Sequence, residues 1–159
     1  MRIIAIDPGN RESAYCVIED YKPTEFGKIM NDDLLMILER RTEHEHFDRT
    51  VIEMVASYGM AVGKEVFETC VWIGQFTHAS SAHVSYVYRM DEKMAICHDS
   101  KANDSNIRQA LVDRFARHDL KTGKGTKKDP DFFYGFASDV WSAFAVGVTW
   151  LDMHSEVKR

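Results

Sequence analysis

Three acidic residues end or interrupt apolar segments of the chain, where an unpaired charge is unusual. Asp7 follows an apolar run and precedes a Pro-Gly turn, Glu53 lies within an apolar stretch, and Asp139 lies near the start of the last apolar segment. Carboxylate oxygens without histidine or cysteine partners favour hard cations such as Mg²⁺ or Mn²⁺. If the fold brings the three side chains together, they could therefore hold divalent metal ions.

Each acid also has an ordinary interpretation. Asp7 could simply initiate the Pro-Gly turn, Glu53 could face solvent from an edge strand, and Asp139 could stabilise the positive end of a helix. Against the second alternative, a glutamate between apolar neighbours is expensive to bury unless it is paired or bound to a metal ion. The choice depends on which elements carry the three residues.

Short apolar and alternating segments predict five β-strands. The unbroken run 3–6 is typical of a central strand buried on both faces, and strands that follow it so closely should form antiparallel hairpins. Amphipathic spacing and capping residues predict the helices. The predicted strands cover 3–6, 13–18, 25–30, 50–56 and 83–88, and the predicted helices cover 31–41, 61–77, 90–98, 106–117 and 136 or 137 to 151.

This order of elements predicts an α/β fold with a mixed five-stranded sheet flanked by helices. If the first, fourth and fifth strands form its parallel half, Asp7 and Glu53 lie on adjacent strands. The last helix, which carries Asp139, would then cover the ends of those strands. A chain of 159 residues most simply makes one domain, 1–159, with a C-terminal tail over 152–159.

Composition excludes several classes of protein. Apolar residues make up 45% and charged residues 28%, which is ordinary for a soluble protein, and no stretch approaches the ~18 apolar residues of a membrane span. The N-terminus carries no secretory signal pattern. The three cysteines have no CxxC spacing, which predicts reduced thiols in a cytoplasmic protein. The alternation His44-Glu-His46 lacks a third ligand and is interpreted as an exposed loop.

A local basic segment offsets the net charge of −5, which by itself weakly disfavours nucleic-acid binding. Within the polar loop 119–134, the stretch from Lys121 to Lys128 contains four lysines, no acid and two glycines, and those glycines predict mobility. The loop could be merely solvated, or it could grip phosphate groups beside a carboxylate site. It lacks the preceding strand and following helix of a nucleotide P-loop.

Converging carboxylates beside a lysine loop indicate cleavage of a phosphodiester backbone. Two divalent ions ~4 Å apart can activate a water molecule and stabilise the leaving oxygen in that reaction. A nucleic acid is the natural substrate for such a site.

The same residues resemble the RuvC Holliday-junction resolvases of the ribonuclease-H-like superfamily, from residue 1 to about residue 150. The motifs are Ile-Ala-Ile-Asp7-Pro-Gly9, Val-Ile-Glu53 and Ala137-Ser-Asp139-Val-Trp-Ser-Ala143, and the run Gly125-Thr-Lys-Lys-Asp-Pro130 with Tyr134-Gly135 is similar to the phage branch. The resemblance implies a ribonuclease-H-like fold and a homodimer that cuts four-way and other branched DNA junctions, with helix 61–77 in the dimer contact. It also implies Mg²⁺ or Mn²⁺, as two ions, held by Asp7, Glu53 and Asp139. For a viral protein, the location would be the host cytoplasm.

The sequence departs from that family at two positions near the acids. Phe136 stands where the family usually has a fourth acid or a histidine, so either Asp131 replaces that ligand or three carboxylates suffice. Asp104 stands where a basic residue is common, and Lys101 is the predicted substitute. The predicted DNA-binding residues are Lys101, Lys121, Lys124, Lys127 and Lys128.

Three other functions compete with junction cleavage. A less selective nuclease would cut branched DNA or RNA hybrids without preferring four-way junctions. A catalytically silent junction-binding protein would follow if the missing fourth ligand is essential. An actin-like sugar kinase would need a second Asp-x-Gly phosphate loop and usually more than twice this length, and neither is present.

Overall fold

A computed structural model describes residues 1–39 and 46–155 of the chain. The predicted loop at His44 falls mostly outside these ranges. None of the helices in the described residues is long and apolar enough to cross a membrane.

One mixed sheet of five strands forms the centre of the molecule, in the order β3-β2-β1-β4-β5. The first three strands pair antiparallel, whereas β1 pairs parallel with β4 and β4 pairs parallel with β5. The predicted adjacency of the first and fourth strands is therefore confirmed. The strands are β1 Arg2–Asp7, β2 Glu12–Glu19, β3 Lys22–Met30, β4 Arg49–Met54 and β5 His83–Tyr88.

Helices cover both faces of the sheet, as expected for a strand order that contains parallel crossovers. On one face α5 packs against β1 and β2, and on the other α1 and α2 pack together over the same strands. A π-helical turn, Lys93–Cys97, continues directly from α3. The helices are α1 Asn31–Glu39, α2 Lys64–Ala79, α3 Arg89–Glu92, α4 Asp104–Phe115 and α5 Val140–His154.

The central strand β1 alternates its side chains between the two cores. Ile3 and Ala5 join the α5 side, and Ile4 and Ile6 join the α1–α2 side, all without exposed surface. Gly147 lets α5 approach this strand closely, because a Cβ at that position would overlap the side chain of Ile18 and press on Ala5. A larger residue at this position would therefore push α5 away from the sheet.

The last helix begins later than predicted. The apolar pattern predicts a start at residue 136 or 137, but α5 starts at Val140, and Asp139 is the residue that precedes its first turn. Gly135 and Ser138 both have left-handed backbone angles, with φ of 87° and 41°, which a right-handed helix cannot include. Phe136 is buried in an aromatic cluster instead of lying on a helix face.

Candidate active site

Asp7 and Glu53 meet at the end of two neighbouring parallel strands. The register pairs Ile6 of β1 with Ile52 of β4, so the two acids are the next residues along adjacent strands. Burial, the charges of Glu53 and Asp139 and a hydrogen bond with Glu53 together raise the pKa of Asp7 to about 8. Burial also raises the pKa of Glu53, against the opposing effect of Arg89. The pair is therefore a place where negative charge is costly unless a cation or a proton accompanies it.

The turn after Asp7 is held by a small buried network. Asn31, at the start of α1, donates to the carbonyl of Gly9 at 2.9 Å and accepts from the hydroxyl of Ser13 at 2.7 Å. The Ser13 hydroxyl in turn accepts the N–H of Gly9 at 3.1 Å. A Cβ at Gly9 would overlap the carbonyl oxygen of Glu12, so only glycine fits this turn. The carboxylate of Asp7 therefore projects from a rigid support.

Asp139 reaches the same region from the start of α5. Its carboxylate accepts a hydrogen bond from the ammonium of Lys28 on β3 at 2.6 Å, and that bond raises the pKa of Lys28. Its charge still acts on Asp7. As the side chains stand, no three histidine, cysteine or acidic residues in the described part of the chain form a ready-made metal cluster. The structure brings Asp7 and Glu53 together and holds Asp139 beside them through Lys28.

Glu92 is a fourth acid at this edge of the sheet, and the sequence analysis missed it. Its side chain has no exposed surface, one oxygen is paired with Arg89, and Oε1 has no hydrogen-bond partner among the described residues. Burial and, to a smaller extent, the charges of Glu53 and Asp7 raise its pKa to about 9, although Arg89 opposes the shift. Its position in the chain could have revealed it. Glu92 lies four residues after the end of β5, and the carboxyl ends of the parallel strands β1, β4 and β5 meet at one edge of the sheet.

Arg89 is the cation among these acids. Its guanidinium pairs with Glu92 on one side and with Asp104 on the other, and its charge counteracts the rise in the pKa of Glu53. The resemblance led us to expect a basic residue at position 104. The structure instead pairs Asp104, at the start of α4, with the basic residue Arg89 of α3. Lys101 is exposed, and its backbone N–H donates to Asp99.

Asp131 has a different environment from the one predicted for a fourth metal ligand. Its buried carboxylate accepts the backbone N–H groups of Arg117, His118, Asp119 and Phe132, at 2.7 to 3.1 Å. Although burial raises its pKa, these four donors outweigh burial and hold the pKa well below its ordinary value. Both oxygens are already occupied, so the structure lends no support to Asp131 as a metal ligand.

Hydrogen bonds form a frame within the basic loop, and the mobility predicted from its glycines stays a prediction. Asp119 accepts from the Thr122 hydroxyl and from the backbone N–H groups of Lys121, Thr122, Lys124 and Gly125. Gly125 has φ of 63°, and a Cβ there would overlap the carbonyl of Asp129. The glycines therefore shape the loop. Lys121, Lys127 and Lys128 are exposed, and Lys124 is half-buried.

Two clefts open beside Asp139, which lines both of them. One, of about 630 Å³, also contains Asp7, Asn10 and Lys28. The other, of about 410 Å³, lies between the starts of α4 and α5 and contains Arg89 and Arg108. Asp139 is therefore shared by the two clefts, and Asp7 opens to the first of them.

Comparison with solved structures identifies the fold. The structure of RuvC from Thermus thermophilus aligns over 96% of this chain and 94% of its own, with a TM-score of 0.65 and 14% sequence identity. The structure of T. thermophilus RuvC in complex with Holliday junction substrate aligns over 96% and 93%, with the same score and identity. No protein-family model and no curated protein matches the chain. The predicted ribonuclease-H-like fold of the RuvC type is confirmed.

Proposed function

We propose that this protein is a divalent-metal-dependent endonuclease that resolves four-way and other branched DNA junctions by phosphodiester hydrolysis. The observation that carries the proposal is the buried Asp7–Glu53 pair, with Asp139 beside it, at the edge of a RuvC-type sheet. Such a pair needs a cation to ionise fully, because burial raises both pKa values and the charge of Glu53 raises that of Asp7 as well. Perturbed acids in an open cleft are typical of catalytic sites.

The residues fit a hard divalent cation. Asp7, Glu53 and Asp139 offer only carboxylate oxygens, the ligands that Mg²⁺ and Mn²⁺ prefer, and Oε1 of the buried Glu92 has no other partner among the described residues. Bound there, two such ions would polarise the attacking water and neutralise charge on the leaving oxygen. If Asp139 acted as a metal ligand, its hydrogen bond with Lys28 would be lost. The ammonium of Lys28 would then remain in the cleft, where it could contact a phosphate.

The loop and its lysines supply a surface for the DNA backbone. Asp119 and Asp131 organise the backbone of the loop, and the lysines extend from that frame. A framed loop holds its charges in place with less loss of conformational entropy on binding than a mobile one. The proposed DNA contacts are Lys101, Lys121, Lys124, Lys127 and Lys128, and the RuvC structure with its junction substrate supports a branched partner.

Symmetric cutting of a junction needs two active sites, and α2 offers a surface on which a second copy could pack. Phe67 and Val71, one turn apart, are 61% and 60% exposed. Large apolar side chains exposed together are typical of an interface. We therefore assign the homodimer contact to α2 and to the segment from residue 61 that precedes it. The free thiols of Cys16, Cys70 and Cys97 fit the proposed cytoplasmic location.

Cleavage of a labelled synthetic four-way junction in Mg²⁺ or Mn²⁺ tests the proposed function. A linear duplex of the same sequence, an EDTA reaction and Asp7→Asn are the controls. We expect paired nicks on the junction alone, lost in EDTA, and lowered at least a thousandfold in Asp7→Asn. Equal cutting of the linear duplex would favour the less selective nuclease. Tight junction binding without any cut would favour the silent junction-binding protein.

A further inference from the structure

The cleft between the starts of α4 and α5 contains a cation that the proposed catalytic site does not use. Arg89 in this cleft is already paired with Glu92 and Asp104. Arg108 lies with its guanidinium 4.4 Å from the centre of the Trp141 ring. Within residues 1–39 and 46–155 Arg108 makes no ion pair and no hydrogen bond, so its five N–H donors are free to bind a ligand.

The stacking contact holds Arg108 in a defined place. Trp141 is only 6% exposed, because its indole packs against Phe133 and Phe136 on the core side. A guanidinium on the face of a fixed ring is oriented by the cation–π attraction and keeps its N–H edge available. The indole face is covered by Arg108, so a nucleobase cannot stack there. The cleft therefore presents a planar cationic donor and no aromatic platform.

The chemistry of the cleft fits a phosphodiester. A guanidinium fork matches two oxygens of a phosphate, and the hydroxyls of Ser105 and Ser142 in the same cleft are neutral donors for the remaining oxygens. The volume of about 410 Å³ is that of a small-ligand pocket, enough for one sugar-phosphate unit of a single strand. Because Asp139 lines this cleft and the one that contains Asp7, a strand at the acids could continue directly into it.

We propose that the Arg108 cleft binds a phosphodiester of the cleaved strand next to the scissile one, which makes Arg108 a substrate-positioning residue. The inference rests on the proposed function, because it needs a DNA strand at the acids. Its consequence is that the cut position relative to the branch depends on Arg108 as well as on the basic loop.

The first test measures junction binding as a function of salt, in an Asp7→Asn parent that binds without cutting. Fluorescence anisotropy of a labelled four-way junction gives the slope of log affinity against log salt concentration. Arg108→Gln should weaken binding several-fold and lower that slope by about 1, the value for one lost phosphate contact. Arg108→Lys should keep the slope. Lys22→Gln, which removes an exposed charge at the opposite end of the sheet, should match the parent.

The second test locates the contact. Single methylphosphonate linkages, which remove one phosphate charge each, are placed in turn along the strand around the cut site. A methylphosphonate at one position should weaken junction binding by the Asp7→Asn parent as much as Arg108→Gln does. The same linkage should not weaken binding by the Arg108→Gln variant any further. Additive losses at every position would overturn the inference, as would an Arg108→Gln variant with the slope of Lys22→Gln.

The outcomes separate this inference from the function on which it rests. A parent that binds the junction, together with an unchanged Arg108→Gln variant, would overturn only the role of the cleft. A parent without affinity for junction DNA would overturn both. Thermal unfolding of each variant shows whether Arg108→Gln keeps the fold. If it does not, Arg108→Met, which is also neutral and can still cover the Trp141 ring, takes its place in both tests.

Discussion

A shared negative charge at the strand ends dominates the chemistry at the scale of single residues. Asp7 and Glu53 are buried beside each other, and Glu92 and Asp139 add further negative charge around them. Two basic residues from opposite edges of the sheet offset part of that charge: Lys28 lies on β3, and Arg89 follows β5. The metal-free site should therefore retain protons at neutral pH and release them when a cation binds.

This protonation predicts how the stability of the metal-free protein depends on pH. The pKa of Asp7 in the folded protein, about 8, lies above its ordinary value of 3.8. Between these values the folded state binds more protons than the unfolded chain, so stability falls as the pH rises from about 4 to about 8. Asp7→Asn should remove this loss and raise the Tm in EDTA at pH 8 by about 5 °C, roughly 2 kcal/mol. At pH 5 it should change the Tm little.

Thermal unfolding in EDTA at the two pH values checks this expectation. Asp113→Asn, which changes an exposed acid on α4, is the control. Its Tm should differ from that of the unsubstituted protein by the same amount at both pH values. Added Mg²⁺ at pH 8 should raise the Tm of the unsubstituted protein more than that of Asp7→Asn. An Asp7→Asn effect of equal size at pH 5 and pH 8 would contradict a raised pKa at Asp7.

At the scale of elements, two kinds of support hold the site. The strands β1 and β4 set the spacing of Asp7 and Glu53 through their backbone register, and α5 sets the height of Asp139 through close packing at Gly147. The basic loop has no such regular element. Its shape depends on two carboxylates, Asp119 and Asp131, that collect backbone N–H groups. Losing either acid should loosen the loop without disturbing the sheet.

Asp131→Asn tests that role against the predicted metal role. An amide can accept from fewer N–H groups than a carboxylate, so amide exchange over 117–132 should accelerate at least tenfold while exchange in the strands is unchanged. Junction affinity should fall because the lysines lose their frame. Since the pKa of Asp131 is depressed, the parent loop should keep its protection at pH 5 and lose it only in strong acid.

Hydrogen exchange measured by mass spectrometry, with Mg²⁺ affinity measured in parallel, distinguishes the two roles. Lys127→Gln, which leaves the frame intact, is the control and should weaken DNA binding without changing exchange. If Asp131 were a metal ligand, Asp131→Asn would lower metal affinity and leave loop exchange as it was.

At the scale of the whole molecule, the proposed paired cutting depends on whether two copies associate. A stable dimer usually buries about 800 Å² on each partner, and the apolar stripe on α2 is the surface to supply it. The double variant Phe67→Ser/Val71→Ser should leave the fold intact, because both side chains are exposed. It should convert a two-chain particle into a single chain and abolish paired nicks.

Molar mass by light scattering, over tens of micromolar protein, checks the assembly. Met36→Ser is the control. Met36 lies on α1 and is 65% exposed, so this substitution removes an apolar side chain from a different surface. A single-chain mass for the parent across that range would contradict the dimer.

The sequence by itself determined the sheet and the places of two acids. The unbroken apolar run of β1, the hairpin spacing of β2 and β3 and the apolar strand at Glu53 are local patterns, so they predict strands correctly without tertiary information. The motif at Asp139 was also visible in the sequence, although its position before α5 depended on the left-handed residue Ser138. The metal roles of all three acids stay predictions.

Only the tertiary structure decided the surroundings of these acids. Glu92 and Arg89 follow β5, far along the chain from Asp7, and become neighbours because β4 and β5 are parallel and end at one edge. Asp131 looked like a ligand in sequence, but the fold places four backbone donors around it. Local sequence patterns specify backbone conformation, whereas charge environments arise from contacts between distant segments, and only the folded chain contains those contacts.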